Sequence, residues 1–228
     1  MGYCYEHGQG VEKNYVDAAK WYKKVAEKTD FLGRAVAQYN LGYHYYNGIG
    51  VAKDYAEAFK WFKMAAENGD KSAQCYVGVC YEKGQGVVQN YSEAFKWYKK
   101  SAGQGNAAAQ YNLGYCYKNG QGVDRDYTEA VKWFKIAAEQ GNANAQCHLG
   151  VCYYYGQGVE KDYTEAVKWY KKSAEKGNVF AQNNLGYCYY FGRGVDKNYT
   201  EAVRWYKQAA KNGSPNAIKR LNELGETY

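Results

Sequence analysis

Nowhere in the 228-residue chain does an apolar run approach the ~20 residues that a bilayer-crossing helix needs, which excludes membrane insertion by that route. Cys-x-x-Cys does not occur, and His7, His44 and His148 have no partner at ligand spacing, so no metal site is read. No strand pattern precedes any of the glycine-rich loops, so phosphate cradles and nucleotide cofactors are not expected either. Proline occurs once, as Pro215. Charged residues make up 23% of the chain, too ordinary a fraction for disorder, and the 46% hydrophobic content is enough for a large core. The net charge of +7 comes from lysines interspersed with glutamates, the pattern of a solvated face.

What the chain does have is repetition. Tryptophan recurs at Trp21, Trp61, Trp97, Trp133, Trp169 and Trp205, with spacings of 40, 36, 36, 36 and 36. Gly2, Gly42, Gly78, Gly114, Gly150 and Gly186 keep the same register, as do Gly-x-Gly pairs beginning at Gly8, Gly48, Gly84, Gly120, Gly156 and Gly192. The chain divides into a truncated first repeat (1–36), full repeats 37–72, 73–108, 109–144, 145–180 and 181–216, and a half-repeat cap (217–228) whose Lys219, Arg220 and Glu223 mark a solvated outer face. The spacing of 40 places a four-residue insertion near "EKTDFLGRAV".

Each repeat carries two helical patterns. Ala109, Leu113, Cys116 and Tyr117 form one apolar face at spacings of three and four; Ala130, Trp133, Phe134 and Ala137 form another. Asp126 with Glu129 reads as a capping box, repeated at Asp54/Glu57, Asn90/Glu93, Asp162/Glu165 and Asn198/Glu201, with a weaker version at Asn14/Asp17. The same cap role accounts for Asn90 and Asn198, which also match the N-glycosylation sequon. Gly69, Gly105, Gly141, Gly177 and Gly213 fall where a left-handed terminal residue is wanted. Asp70, Asn106, Asn142, Asn178 and Ser214 then cap the next helix, with Pro215 at a first helical position. Gly-x-Gly is read as the turn between the two helices, with the following valine tucked against the pair. The fold expected is all-α: a right-handed superhelix of antiparallel helix pairs, stacked because one pair cannot bury its apolar face alone. Tryptophan and the Leu-Gly step are expected to form a continuous spine, making Trp133→Ala cost ~3–5 kcal/mol.

The recurring pattern Ala-x-x-x-Leu-Gly-x-x-Tyr-x-x-Gly-x-Gly-Val, followed by Asp-Tyr-x-Glu-Ala-x-x-Trp, resembles the Sel-1-like repeat family of tetratricopeptide-like helical hairpins. The likeness runs from Gly2 to about Leu224, with Val77 in place of leucine and Asn222 in place of glycine as departures. It implies a non-catalytic adaptor or scaffold whose partner is a protein or peptide. Some members pair cysteines between the second helix and the next first helix; here that partner position is Ala66 or Ala138, so the staple is absent. The seven cysteines read as small buried thiols of a reducing compartment, which favours the cytoplasm, with a secretory lumen open because the chain begins inside a repeat. An unequal pair such as Cys116 with Cys147 stays open.

By the family's geometry the first helix of each pair lines the concave side. Carried over on the Leu-Gly step, this points to Tyr39, Tyr43, Tyr46, Tyr111, Tyr115, Lys118, Tyr154, Tyr155, Asn183, Tyr187, Tyr190 and Phe191 as partner-binding, with Cys75, Val79, Glu82, Cys147 and Val151 on the same stripe. Within the chain this stripe varies while the core positions hardly change. Tyrosine supplies contact area at little entropic cost. Tyr154, Tyr155, Tyr190 and Phe191 are expected to be the most exposed. Two other readings stand beside this one: a structural or engineered array without a ligand, and a nucleic-acid binder using Lys96, Lys99, Lys100, Lys168, Lys171 and Lys172 against phosphate.

Overall fold

In the chain's computed structural model, residues 1–28 and 33–227 are described. They form thirteen α-helices and no strand: α1 (Gly2–His7), α2 (Tyr15–Ala26), α3 (Arg34–Asn47), α4 (Tyr55–Glu67), α5 (Lys71–Lys83), α6 (Tyr91–Gly103), α7 (Ala107–Asn119), α8 (Tyr127–Glu139), α9 (Ala143–Tyr155), α10 (Tyr163–Glu175), α11 (Val179–Phe191), α12 (Tyr199–Lys211) and α13 (Pro215–Glu223). Odd-numbered helices are the first members of the hairpins and even-numbered ones the second. The expected insertion falls largely on residues 29–32, outside the described residues. The helices group into two compact units, Met1–Ala109 with Gln121–Val123, and Gln110–Gly120 with Asp124–Tyr228.

The helix ends form where the capping residues put them. Asp54, Asp126 and Asp162 sit in extended backbone before α4, α8 and α10, and their side chains accept from Glu57, Glu129 and Glu165 N–H. Asn142, Asn178 and Ser214 do the same for α9, α11 and α13. The second half of the capping box is not made. The cap's own N–H is already donated to a first-helix carbonyl, as in Asp54 N–H to Tyr45 O at 3.0 Å and Asp162 N–H to Tyr153 O at 2.9 Å. The glutamates turn instead to the residue three along: Glu57 to Lys60, Glu129 to Lys132, Glu165 to Lys168 and Glu201 to Arg204.

The core differs from expectation at one position. Of the six tryptophans, only Trp61 and Trp205 are buried; Trp21, Trp97, Trp133 and Trp169 are half-exposed. The spine belongs to the next residue, Tyr22, Phe62, Tyr98, Phe134, Tyr170 and Tyr206, all at most 6% exposed. Each of these rings lies on the glycine of the facing first helix. A methyl placed on Gly78 would stand 2.6 Å from Tyr98, one on Gly114 2.8 Å from Phe134, and one on Gly150 2.6 Å from Tyr170. The glycine's missing side chain is thus filled by an aromatic ring. The two neighbours Trp and Phe/Tyr share a helical face in outline, and a pattern of apolar spacings does not tell which of them points at the partner helix.

Gly-x-Gly is a turn, as expected, with a further duty. Gly48, Gly84, Gly156 and Gly192 end their helices in left-handed conformation. The second glycine, also at positive φ, lies against the start of the preceding hairpin's second helix, where a methyl on Gly86 would sit 2.0 Å from Tyr55 O and one on Gly194 2.1 Å from Tyr163 O. It is the contact point between consecutive hairpins. Val87, Val159 and Val195 pack against the core beside it.

A buried polar seam runs beside the rings. Gln74, Gln146 and Gln182, each under 5% exposed, donate to Ala66 O, Ala138 O and Ala174 O at 3.0–3.1 Å, tying each first helix to the end of the helix before it. The carbonyl oxygens of Gln74 and Gln182 accept from the next turn, from Gln104 Nε2 at 2.7 Å and Asn212 Nδ2 at 3.0 Å.

Substituting the ring that fills the glycine therefore costs more than substituting the indole. Phe134→Ala is expected to lose ~3–5 kcal/mol in urea unfolding, and Trp133→Ala at least ~1 kcal/mol less. Equal losses would return the tryptophan to the centre of the core.

Candidate partner-binding face

In the first unit, Tyr39, Tyr43 and Tyr46 of α3 converge on Tyr76 of α5, with ring centroids 5.8, 6.0 and 5.6 Å away. Tyr76 in turn stacks on Phe62 at 4.7 Å. All four tyrosines are half-buried, and Tyr46 donates its hydroxyl to Gln85 Oε1 at 2.6 Å. Burial raises Tyr39 above the ordinary tyrosine range and Tyr46 to about 12. Tyr76 lay outside the expected stripe, one residue past Cys75; the aromatic residue at that place was the available signal. Cys75 itself is buried, not presented on the surface, and so is Cys147 at the equivalent place in α9.

In the second unit, Tyr111, Tyr115 and Lys118 of α7 meet around His148 of α9. The imidazole stacks on Phe134 at 5.3 Å, lies 5.6 Å from Tyr111 and 5.9 Å from Tyr115, and has Lys118 Nζ 3.3 Å from Nδ1. Burial and then the Lys118 charge lower its pKa to about 4. Tyr111, Cys147, His148, Val151 and Asn184 border a cavity of about 420 Å³, beside which Phe180 is 75% exposed.

Four expected residues, Tyr154, Tyr155, Asn183 and Tyr187, surround a second cavity of about 360 Å³ with Asn184 and Arg193. Arg193 donates to Tyr163 Oη at 3.0 Å, and its guanidinium lies 5.9 Å from the Tyr154 ring centre. Tyr190 and Phe191 adjoin, Phe191 lying 4.5 Å from Tyr187 and 4.8 Å from Tyr190. Of the four residues expected to be most exposed, Tyr155 (63%) and Phe191 (46%) are; Tyr154 and Tyr190 are half-buried against the core.

Elsewhere the reactive side chains are engaged. Burial lifts the thiols of Cys80, Cys147 and Cys188 to about 12 and that of Cys152 to about 11, which keeps them protonated. Cys147 is an unbridged thiol, so the Cys116–Cys147 pair is not formed. No Ser-x-x-Lys was expected, yet Ser173 and Lys176 have that spacing. Ser173 Oγ is fully buried and donates to Ala143 O at 2.6 Å, while Lys176 Nζ donates to Gly141 O at 2.6 Å, so serine and amine serve the backbone. Lys96 and Lys168 pair with glutamates, and Lys100 and Lys172 lie over Trp97 and Trp169. Among the described residues no His/Cys/Asp/Glu group has metal-binding geometry, and no helix is long and apolar enough to cross a membrane.

His148 makes the second unit sensitive to acid. Unfolded, it titrates near the ordinary ~6.5; folded, its pKa is about 4. Between those values the unfolded chain holds the extra proton, so stability falls as pH drops from ~6.5 to ~4, by at most ~3 kcal/mol. His148→Asn, the residue found at the same place in α7 and α11, is expected to flatten this slope. Urea midpoints at pH 7.5 and pH 4.5 measure it; an unchanged difference between the two would remove His148 as the cause.

The Sel1 repeat model matches residues 1–30, 35–70, 71–106, 107–142, 143–178 and 179–214. Among solved structures, the chain is similar to c5321, a protective antigen of uropathogenic Escherichia coli displaying this repeat fold, with 39% identity and a TM-score of 0.86. The match covers 98% of the chain and 47% of the antigen, so the chain spans about half that protein's length. A Sel1 repeat protein from Oxalobacter formigenes matches at 38% identity and a TM-score of 0.85, over 97% of the chain and 87% of that protein. A third, from Klebsiella pneumoniae, shares the fold at 21% identity and a TM-score of 0.59, over 91% of the chain and 99% of its own length. No curated protein sequence matches. Proteins built of these repeats generally serve as scaffolds for protein interactions. With six repeat matches and two structures near 40% identity, the chain belongs to the Sel1 repeat family.

Proposed function

We propose that this chain is a non-catalytic scaffold that holds a peptide segment or partner protein on the aromatic face of its first helices. The observation that carries the reading is the cavity bordered by Tyr154, Tyr155, Asn183 and Tyr187, flanked by exposed rings that the core does not need. Aromatic rings with free edges, amides and an arginine at one concavity are the anchors of protein recognition. The occupied state of the regularly placed glutamates and lysines, and the protonated buried thiols, support a role without catalysis. The nucleic-acid reading is weakened because Lys96 and Lys168 each stand beside a glutamate whose charge offsets theirs toward phosphate. A ligand-free array is weakened by Tyr155 and Phe191, which lie against neighbouring tyrosines yet stay largely open to solvent.

Both can be truncated without touching the buried rings. The double variant Tyr155→Ala/Phe191→Ala is expected to keep its helical circular dichroism and melting temperature while losing about tenfold or more in affinity for whichever partner the unaltered chain captures. Val88→Ala, at an 85% exposed position in the first unit, is expected to change nothing. Undiminished capture by the double variant would move the binding site elsewhere.

A further inference from the structure

The six core rings are not chemically equal. Four carry a hydroxyl, and what receives it depends on the residue sixteen positions earlier on the facing first helix. Tyr22 donates to Glu6 Oε2 at 2.6 Å, and Tyr98 donates to Glu82 Oε2. For Tyr206 the corresponding residue is Tyr190, and no acceptor takes the proton of the buried Tyr206 hydroxyl; the one charged side chain that acts on it, Arg220, can only donate. Such a donor costs stability unless something outside the fold accepts its proton, because it lost its water on folding and gained no acceptor.

Tyr206 lines a cavity of about 290 Å³, together with Asn183 and Tyr187 from α11 and Asn216, Lys219, Arg220 and Glu223 from α13. Two lysine/arginine charges against one glutamate leave the lining one net positive charge. Arg220 is held by Glu223 at 2.8 Å in a pair whose side chains are 37% and 45% exposed. A pair of that kind is worth little in water, so its arginine exchanges one carboxylate for another at small cost. The Arg220 charge also acts on the Tyr206 hydroxyl, against the burial that raises it to about 12.

We infer that this cavity is a socket for a carboxylate of an acidic peptide, received by the Tyr206 hydroxyl, Arg220 and Asn216, in the accepting role that Glu6 and Glu82 play for Tyr22 and Tyr98. The partner is negatively charged, in keeping with the chain's +7, and planar, with two oxygens to share among the three donors. The hydroxyl oxygen has no open surface of its own, so the incoming carboxylate takes Arg220 from Glu223 as it enters. The inference rests on the first-helix reading, because Asn183 and Tyr187 border both this socket and the cavity at Tyr154 and Tyr155.

The test uses the full chain and two labelled decapeptides, one alternating glutamate with alanine and one alternating glutamine with alanine, in fluorescence anisotropy at fixed ionic strength. The glutamate peptide is expected to bind about tenfold more tightly. Tyr206→Phe is the informative variant. Phe62 and Phe134 show that a phenylalanine ring fits this position against its glycine, so the fold is kept, and removing an unpaired hydroxyl leaves the melting temperature unchanged or raised. Its preference for glutamate is expected to fall at least about threefold, as is that of Arg220→Gln. Equal binding of the two peptides, an unaltered preference in Tyr206→Phe, or a lowered melting temperature in that variant would overturn the socket. If the peptides bind alike and Tyr155→Ala/Phe191→Ala weakens both, the aromatic face stands and the socket falls. If glutamate preference depends on Tyr206 while the double variant binds normally, the socket stands and the wider face falls.

Discussion

An aromatic ring seated on a glycine holds each hairpin together. The first helix gives up a side chain at Gly42, Gly78, Gly114, Gly150 and Gly186, and the second helix fills the gap with Phe62, Tyr98, Phe134, Tyr170 and Tyr206. Close approach follows from the glycine, and burial of a large apolar surface follows from the ring. Neither is useful without the other: a methyl on the glycine collides with the ring, and a small residue opposite it leaves a void. From Gly50 onward, the second glycine of each turn applies the same device between hairpins, with a backbone carbonyl where the ring was. Spacing within and between hairpins is thus set by absent side chains.

Direction and register come from polar groups. Hydrophobic contact alone would tolerate sliding of one helix along another, but Gln74, Gln146 and Gln182 each need one particular carbonyl. A slip would strand a buried amide, at a cost of about 1–3 kcal/mol each. The seam has one gap. Where Gln104, Gln140 and Asn212 donate to the glutamine beneath them, Lys176 turns to Gly141 O, and Gln146 Oε1 is left without a partner. The lysine's long stem reaches a backbone oxygen that the shorter amides do not use.

The same economy shapes the candidate binding face. Where the chain satisfies its own groups, as at Tyr98 with Glu82 or Tyr46 with Gln85, tyrosines are packing residues with their hydroxyls occupied. Toward the end of the second unit the acceptors give way to more tyrosines. There rings come to the surface at Tyr155 and Phe191, and cavities open beside Arg193 and Arg220. Residues at the same repeat position therefore differ in what they offer a partner. The stripe of first-helix residues was legible from spacing. Its division into packing and presenting members was not, because that division depends on neighbours contributed by other helices.

Helices, caps, left-handed glycines and the repeat were all present in the linear order, since each is decided by residues within about four positions of one another. Asp54, Asn142 and Gly69 do locally what their chemistry dictates. The capping box failed in its second half because the cap's N–H was taken by Tyr45 or Tyr153, residues of the other helix. Trp133 and Phe134 are adjacent and both apolar, and only the position of Gly114 on the facing helix selects the phenylalanine for the core. Local order determined which segments are helical and where they stop. Which apolar residue is buried, which glutamine is paired and which tyrosine keeps an unpaired hydroxyl were decided by packing between helices, where occupancy of one site by a distant side chain excludes all others.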